Sequence, residues 1–150
     1  DYYCMDGTIP KRYLAEVLEK ISNLSKKYDL RVANVFHAGD GNLHPLILYD
    51  AGQLGELEKA EDFGNDILKI CVDMGGSITG EHGVGIEKLD AMCHQYNTAE
   101  LDVFHQIKAA FDPFSLLNPG KAVPTLHRCA ELGNMHVHHG NLPHPELERF

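Results

Sequence analysis

The sequence predicts an α+β fold: a ferredoxin-like antiparallel sheet with helices on one face, then a C-terminal helical segment and an irregular tail. Three observations predict it. Two long segments carry apolar residues at the 3.6-residue period of an amphipathic helix. Short runs rich in β-formers flank them, in the order β-α-β-β-α-β. The two central strands are joined by Asp40-Gly41, a hairpin signal that excludes the long crossover of a Rossmann unit.

Each element follows in order. Residues 2–5 are apolar and read as a short strand, and Asp6-Gly7-Thr8-Ile9-Pro10 reads as a turn into a helix. Leu14, Val17, Leu18, Ile21, Leu24 and Tyr28 mark one face of a helix over residues 10–28. Residues 31–37 and 43–49 read as the hairpin strands, and 50–55 as a loop. Leu57, Ala60, Gly64, Ile67, Leu68 and Cys71 line a second helix that stops near Gly75-Gly76. Residues 77–80 are expected to form a strand leading into Gly80-Glu81-His82-Gly83-Val84-Gly85, and 86–94 a short helix. Asn97 or Thr98 can cap a further helix with Leu101, Phe104, Ile107 and Phe111 inward. Asp112-Pro113 and Asn118-Pro119-Gly120 then break the chain. This divides it into a domain over 1–121 and an irregular tail over 122–150.

Composition narrows the function classes. A 43% apolar share supports a real core, and 22 acidic against 13 basic residues give a net charge of -9. No basic face is visible, which argues against nucleic acid and anionic membranes as partners. Cys4, Cys71, Cys93 and Cys129 form no CxxC pair, so free thiols in a reducing, cytoplasmic setting are expected. No apolar run approaches the roughly 18 residues of a membrane span. The chain opens at Asp1 inside an expected strand, so it is read as a fragment.

The hairpin carries the first candidate chemistry. With Asp40 and Gly41 as a two-residue turn, His37 faces His44 on one side of the sheet. Opposed Cβ atoms lie about 4.5–5.5 Å apart, which suits two imidazoles on one ion. The alternative is an ordinary pair of surface or core histidines. Glu81 and His82 stand on a glycine-flanked strand end that can lie beside the hairpin. A regular strand aims only one of them at the ion, although the glycines permit a bend. Two histidines and a carboxylate leave open coordination positions, as catalysis requires. Gly83-Val84-Gly85 lacks a full phosphate-loop pattern.

Three ordered motifs carry a resemblance: His37-Ala38-Gly39-Asp40-Gly41-Asn42-Leu43-His44, Gly80-Glu81-His82-Gly83-Val84-Gly85, and Leu117-Asn118-Pro119-Gly120-Lys121. Together they resemble the C-terminal domain of FAD-linked oxidases, among the vanillyl-alcohol-oxidase-like flavoproteins. The opening residues 2–10 and residues 126–131 are most similar to the glycolate-oxidase type of catalytic subunit. The resemblance implies a flavin-dependent dehydrogenase or oxidase of small 2-hydroxy acids. It implies a divalent metal, zinc or manganese, on His37, His44 and Glu81, with His82 as the catalytic base. It makes Asn118 and Lys121 weaker candidates for the flavin edge. FAD itself is expected on an upstream domain outside this chain, together with the arginine that grips the substrate carboxylate. Dicarboxylate-specific relatives carry a lysine near the position of Cys4, so its absence favours glycolate or lactate.

Partner subunits are implied too, one an iron-sulfur protein and one a second flavoprotein-like chain, with peripheral membrane association through them. A homodimer through an exposed apolar face is a further expectation. His127, His136, His138, His139 and His144 with Cys129 form either a second metal site or a polar tail. Two other readings use the same residues: a stand-alone metal-dependent hydrolase or lyase, and a non-enzymatic ferredoxin-like module.

Overall fold

The computed structural model describes residues 1–125 and Cys129. The fold is an α+β mixture, and the described residues divide into two compact units, Asp1–Gly83 and a second that begins at Val84. The division at residue 121 drawn from composition falls inside the second unit.

In the first unit, β1 (Tyr2–Cys4) and β2 (Gly7–Thr8) precede a 3-10 turn (Lys11–Tyr13) and α1 (Leu14–Tyr28). The hairpin strands β3 (Val32–His37) and β4 (Asn42–Leu48) follow, then α2 (Glu56–Asp73). The helix expected from residue 10 thus begins as a 3-10 turn after Pro10, and Asp29 ends α1 in the left-handed conformation. The sheet is antiparallel with β4 at its centre, bordered by β1 and β2 on one edge and β3 on the other.

β1 and β2 share one register: Cys4 pairs Leu46 and Gly7 pairs Leu43. The gap between them falls where Pro45 sits. Met5 donates its amide to the Pro45 carbonyl at 3.2 Å, but Pro45 has no N–H to return. One ladder bond is lost there, and the strand pair separates around it.

Alternation along β4 sorts the two faces. Leu43, Pro45 and Ile47 are buried on the side of α1 and α2, where Val17, Ile21, Phe63, Ile67 and Leu68 complete the core. Phe63 stacks on Tyr28 at 5.3 Å, and Lys27 and Tyr28 of α1 both reach Asp66 of α2 at 2.7 Å. Asn42, His44 and Leu46 point to the opposite face.

Two expectations are corrected here. The hairpin turn is a four-residue loop, with the Asp40 and Gly41 amides both donating to the His37 carbonyl at 3.0 and 2.9 Å. His37 therefore pairs with Asn42, and Val35 pairs with His44. Gly41 takes φ 79, and a side chain there would collide with the Ile9 carbonyl oxygen, so the loop closes tightly only with glycine. The strand expected over residues 77–80 is reduced to a single bridge between Thr8 and Ser77.

In the second unit, α3 (Leu89–Gln95) and α4 (Thr98–Phe111) are the helices among the described residues. Asn97 caps α4 in a reciprocal box with Glu100. Leu101 is buried, whereas Ile107 and Phe111 are exposed rather than inward. At the other end of α4, Asp112 accepts from Lys108 and from the Leu116 and Leu117 amides. The Lys108 bond, with the two amides, holds that carboxyl below its usual range.

A disulfide joins Cys93 to Cys129, which corrects the expectation of free thiols throughout. Thirty-six residues separate the two in sequence, and only the fold brings their Cα atoms to 5.2 Å. No helix among the described residues is long and apolar enough to cross a membrane. The remaining tail, with His127, His136, His138, His139 and His144, lies outside the described residues.

Candidate metal and proton-transfer site

The face of the sheet turned away from α1 and α2 carries the site. The loop correction shifts the hairpin register by two residues. A shift of two leaves every side chain on its expected face, where a shift of one would have reversed them all. His37 and His44 thus become diagonal neighbours, with ring centroids 5.4 Å apart and planes nearly perpendicular at 89°.

The stretch after Ser77 is a loop rather than a strand end, and it brings Glu81 over the two rings. Glu81 Oε1 lies 3.4 Å from His37 Nε2, and Oε2 lies 3.6 Å from His44 Nε2. One ligand atom from each of the three residues lies within 4.8 Å of the other two. Good N–H···O bonds run about 2.7–3.2 Å, and both contacts exceed that. Ligand atoms each about 2.0–2.1 Å from a tetrahedral ion stand about 3.3 Å apart, whereas the two contacts here run to different oxygens of Glu81 and one atom from each residue lies within 4.8 Å of the others. By donor chemistry, two imidazoles and one carboxylate are a set that could hold a divalent cation.

His82 lies against the His44 ring. The two rings stack with centroids 5.2 Å apart and planes at 26°. Glu81 and His82, adjacent in sequence, thus both approach the same imidazole.

Two residues that sequence reasoning did not single out complete the surroundings. Asp6, read as part of a turn, is fully buried on the same face. Its carboxylate accepts Thr79 Oγ1 at 2.7 Å and the amides of Gly80, Glu81 and His82 at 3.0, 3.1 and 2.8 Å. No local signal marked it, since Asp6-Gly7 reads as an ordinary turn. Asn42 is also buried, with Nδ2 3.4 Å from His44 Nε2 and Oδ1 without a hydrogen-bond partner. Among the described residues that buried amide oxygen has no hydrogen-bond partner, a costly feature next to the site.

Asn118 and Lys121 belong to the second unit and are described there alone. Both are exposed, Asn118 takes φ 46, and the Lys121 amide donates to the Asn118 carbonyl at 3.3 Å.

The family profile described as FAD linked oxidases, C-terminal domain, matches residues 1–122. The chain belongs to this family. A glycolate oxidase subunit, GlcD of Escherichia coli K12, is 68% identical over the whole chain, which spans 30% of that protein. A D-lactate dehydrogenase of Archaeoglobus fulgidus is 35% identical over 81% of the chain and 27% of its own length. The chain thus corresponds to about a third or less of these relatives. Among solved structures, the 4-ethylphenol oxidase of Gulosibacter chungangensis, in an isoeugenol complex, superposes with TM-score 0.58. It covers 84% of this chain and 25% of the oxidase at 18% identity, a likeness of fold alone. Against this background the antiparallel α+β fold and the FAD-linked oxidase resemblance read from the sequence both stand.

Proposed function

We propose that this chain is the substrate-side part of a flavin-dependent dehydrogenase or oxidase of small 2-hydroxy acids, of glycolate or D-lactate type. The observation that carries the reading is the convergence of His37, His44 and Glu81 with His82 stacked alongside. Likeness to a glycolate oxidase subunit and a D-lactate dehydrogenase supports the substrate class. Cys4, where a lysine would suit a second carboxylate, favours a monocarboxylate.

His37, His44 and Glu81 would hold a divalent ion, zinc or manganese. When bound, that ion supplies Lewis-acid polarisation of the substrate hydroxyl. FAD, held mainly by a domain outside this chain, supplies the hydride acceptor. The protein's own part is positional and protonic. His82 takes the proton from the substrate hydroxyl oxygen, a task suited to an imidazole near neutral pH. The stack against His44 fixes the His82 ring while that proton moves. Asn118 and Lys121 are the weaker candidates for contacting the flavin. Partner subunits, one of them an iron-sulfur protein, and a homodimer through an exposed apolar face of this part belong to the same proposal.

The test uses the full-length protein. Elemental analysis is combined with turnover of glycolate and D-lactate, before and after chelation and on return of Zn2+ or Mn2+. Stoichiometric metal and chelator-sensitive, metal-restored turnover are expected. Turnover unaffected by complete metal removal overturns the metal role, and failure to oxidise either acid overturns the substrate class.

A further inference from the structure

Adjacent residues on an extended chain point to opposite sides, so Glu81 and His82 should not both meet His44. They do because the backbone beneath them is curled. Three consecutive amides, those of Gly80, Glu81 and His82, all turn inward to one oxygen, Asp6 Oδ2. Successive N–H groups converging in this way form an anion-binding concavity. Here the anion is a side chain of the protein itself. Thr79 Oγ1 donates to the same oxygen at 2.7 Å and accepts the Gly83 amide at 2.9 Å, closing the curl at both ends.

The anchor is placed by the sheet. The register that pairs Cys4 with Leu46 and Gly7 with Leu43, continued through the gap, sets Asp6 beside His44 on β4. A single strand pair therefore fixes His44 directly and fixes Glu81 and His82 through Asp6.

We propose that Asp6 is a positioning residue: it shapes the residue 79–83 loop so that Glu81 completes the metal set and His82 meets its stacking partner. The inference rests on the metal reading above. Asp6 itself is not among the three candidate ligands. The chemistry is specific to a carboxylate, since Asp6→Asn keeps the shape but sets an NH2 or a weaker acceptor against a cluster of donors. Thr79→Val removes the hydroxyl that shares the role, and Thr79→Ser restores it.

The full-length protein, stripped by chelation, is titrated with Co2+ by calorimetry, with circular dichroism and flavin absorbance recorded alongside. Outer-sphere partners of metal ligands are worth about 10–100-fold in affinity, and that loss is expected for Asp6→Asn. Thr79→Val is expected to lose about tenfold, and Thr79→Ser to stay within about twofold of wild type. The serine rescue separates positioning from general destabilisation. Should Asp6→Asn fail to fold, the Thr79 pair decides, and Thr79→Val binding Co2+ as tightly as wild type overturns the inference. Wild-type affinity in a folded Asp6→Asn also overturns it, with the metal reading intact. A wild-type protein that binds no Co2+ overturns both.

Discussion

His44 is the residue that the rest of the site shares: His82 stacks on its ring at 5.2 Å while Glu81 Oε2 approaches its Nε2 to 3.6 Å. A candidate ligand and a candidate base thus both stand against one imidazole. If His82 is the base, His82→Ala in the full-length enzyme lowers kcat by about 10²–10⁴-fold while metal content stays unchanged. Steady-state rates with glycolate and D-lactate, beside elemental analysis, check this. Wild-type kcat in that variant removes His82 from the chemistry.

The two hairpin histidines should not contribute equally. The His44 side chain is 12% exposed and contacts Asn42, Glu81 and both other rings, whereas His37 is 55% exposed near the loop. A more enclosed ligand loses less freedom on binding. His44→Ala is therefore expected to release more metal than His37→Ala after identical desalting, and Glu81→Gln to fall with the histidine variants. The reverse order for the two histidines contradicts the geometry.

Much of this was legible in the sequence, and the misses have physical causes. The helical faces of α1 and α2 follow from periodicity, and the facing of His37 and His44 follows from strand alternation. Alternation survived a wrong turn assignment because the hairpin slipped by two residues and not by one. Glu81 and His82 were harder. Their common approach to His44 depends on a curl imposed by Asp6, 75 and 76 residues away in sequence. No local pattern encodes a contact of that kind. The Cys93 partnership fails for the same reason, since Cys129 is brought near only by the fold of the second unit. Ile107 and Phe111 kept a helical period yet are exposed, because periodicity identifies an apolar stripe but not what covers it.

Asp66 gives a pH dependence unrelated to the site. Burial pushes its pKa up, but hydrogen bonds from Lys27 and Tyr28 outweigh this and hold it below the usual carboxylate range. A carboxyl depressed on folding adds stability above its unfolded value of about 3.9, and that stability is lost as pH falls through the lowered folded value. Asp66→Asn should lower Tm at neutral pH, with the gap to wild type closing in acid below about pH 3.9. A gap that is constant from neutral to acid pH would show that the carboxylate charge contributes nothing to joining α1 and α2.

Gly80 tests how tightly the loop must sit. A Cβ at this position would stand 2.6 Å from Asn42 Oδ1, 2.8 Å from Asn42 Cγ and 2.8 Å from Thr8 Cγ2. Asn42 is buried and Thr8 is held by Ser77 at 2.9 Å, so neither can retreat freely. Gly80→Ala must then lift the loop away from β4, at a cost of about 1–3 kcal/mol from overpacking. The loop carries Glu81 and His82 with it, so the damage should exceed a stability loss. Thermal unfolding should show a lowered Tm, and metal titration of the still-folded variant at low temperature should show weaker binding. A variant with reduced Tm but unchanged metal affinity would mean that the loop can rise without moving Glu81, and that the close approach of Gly80 to Asn42 serves packing alone.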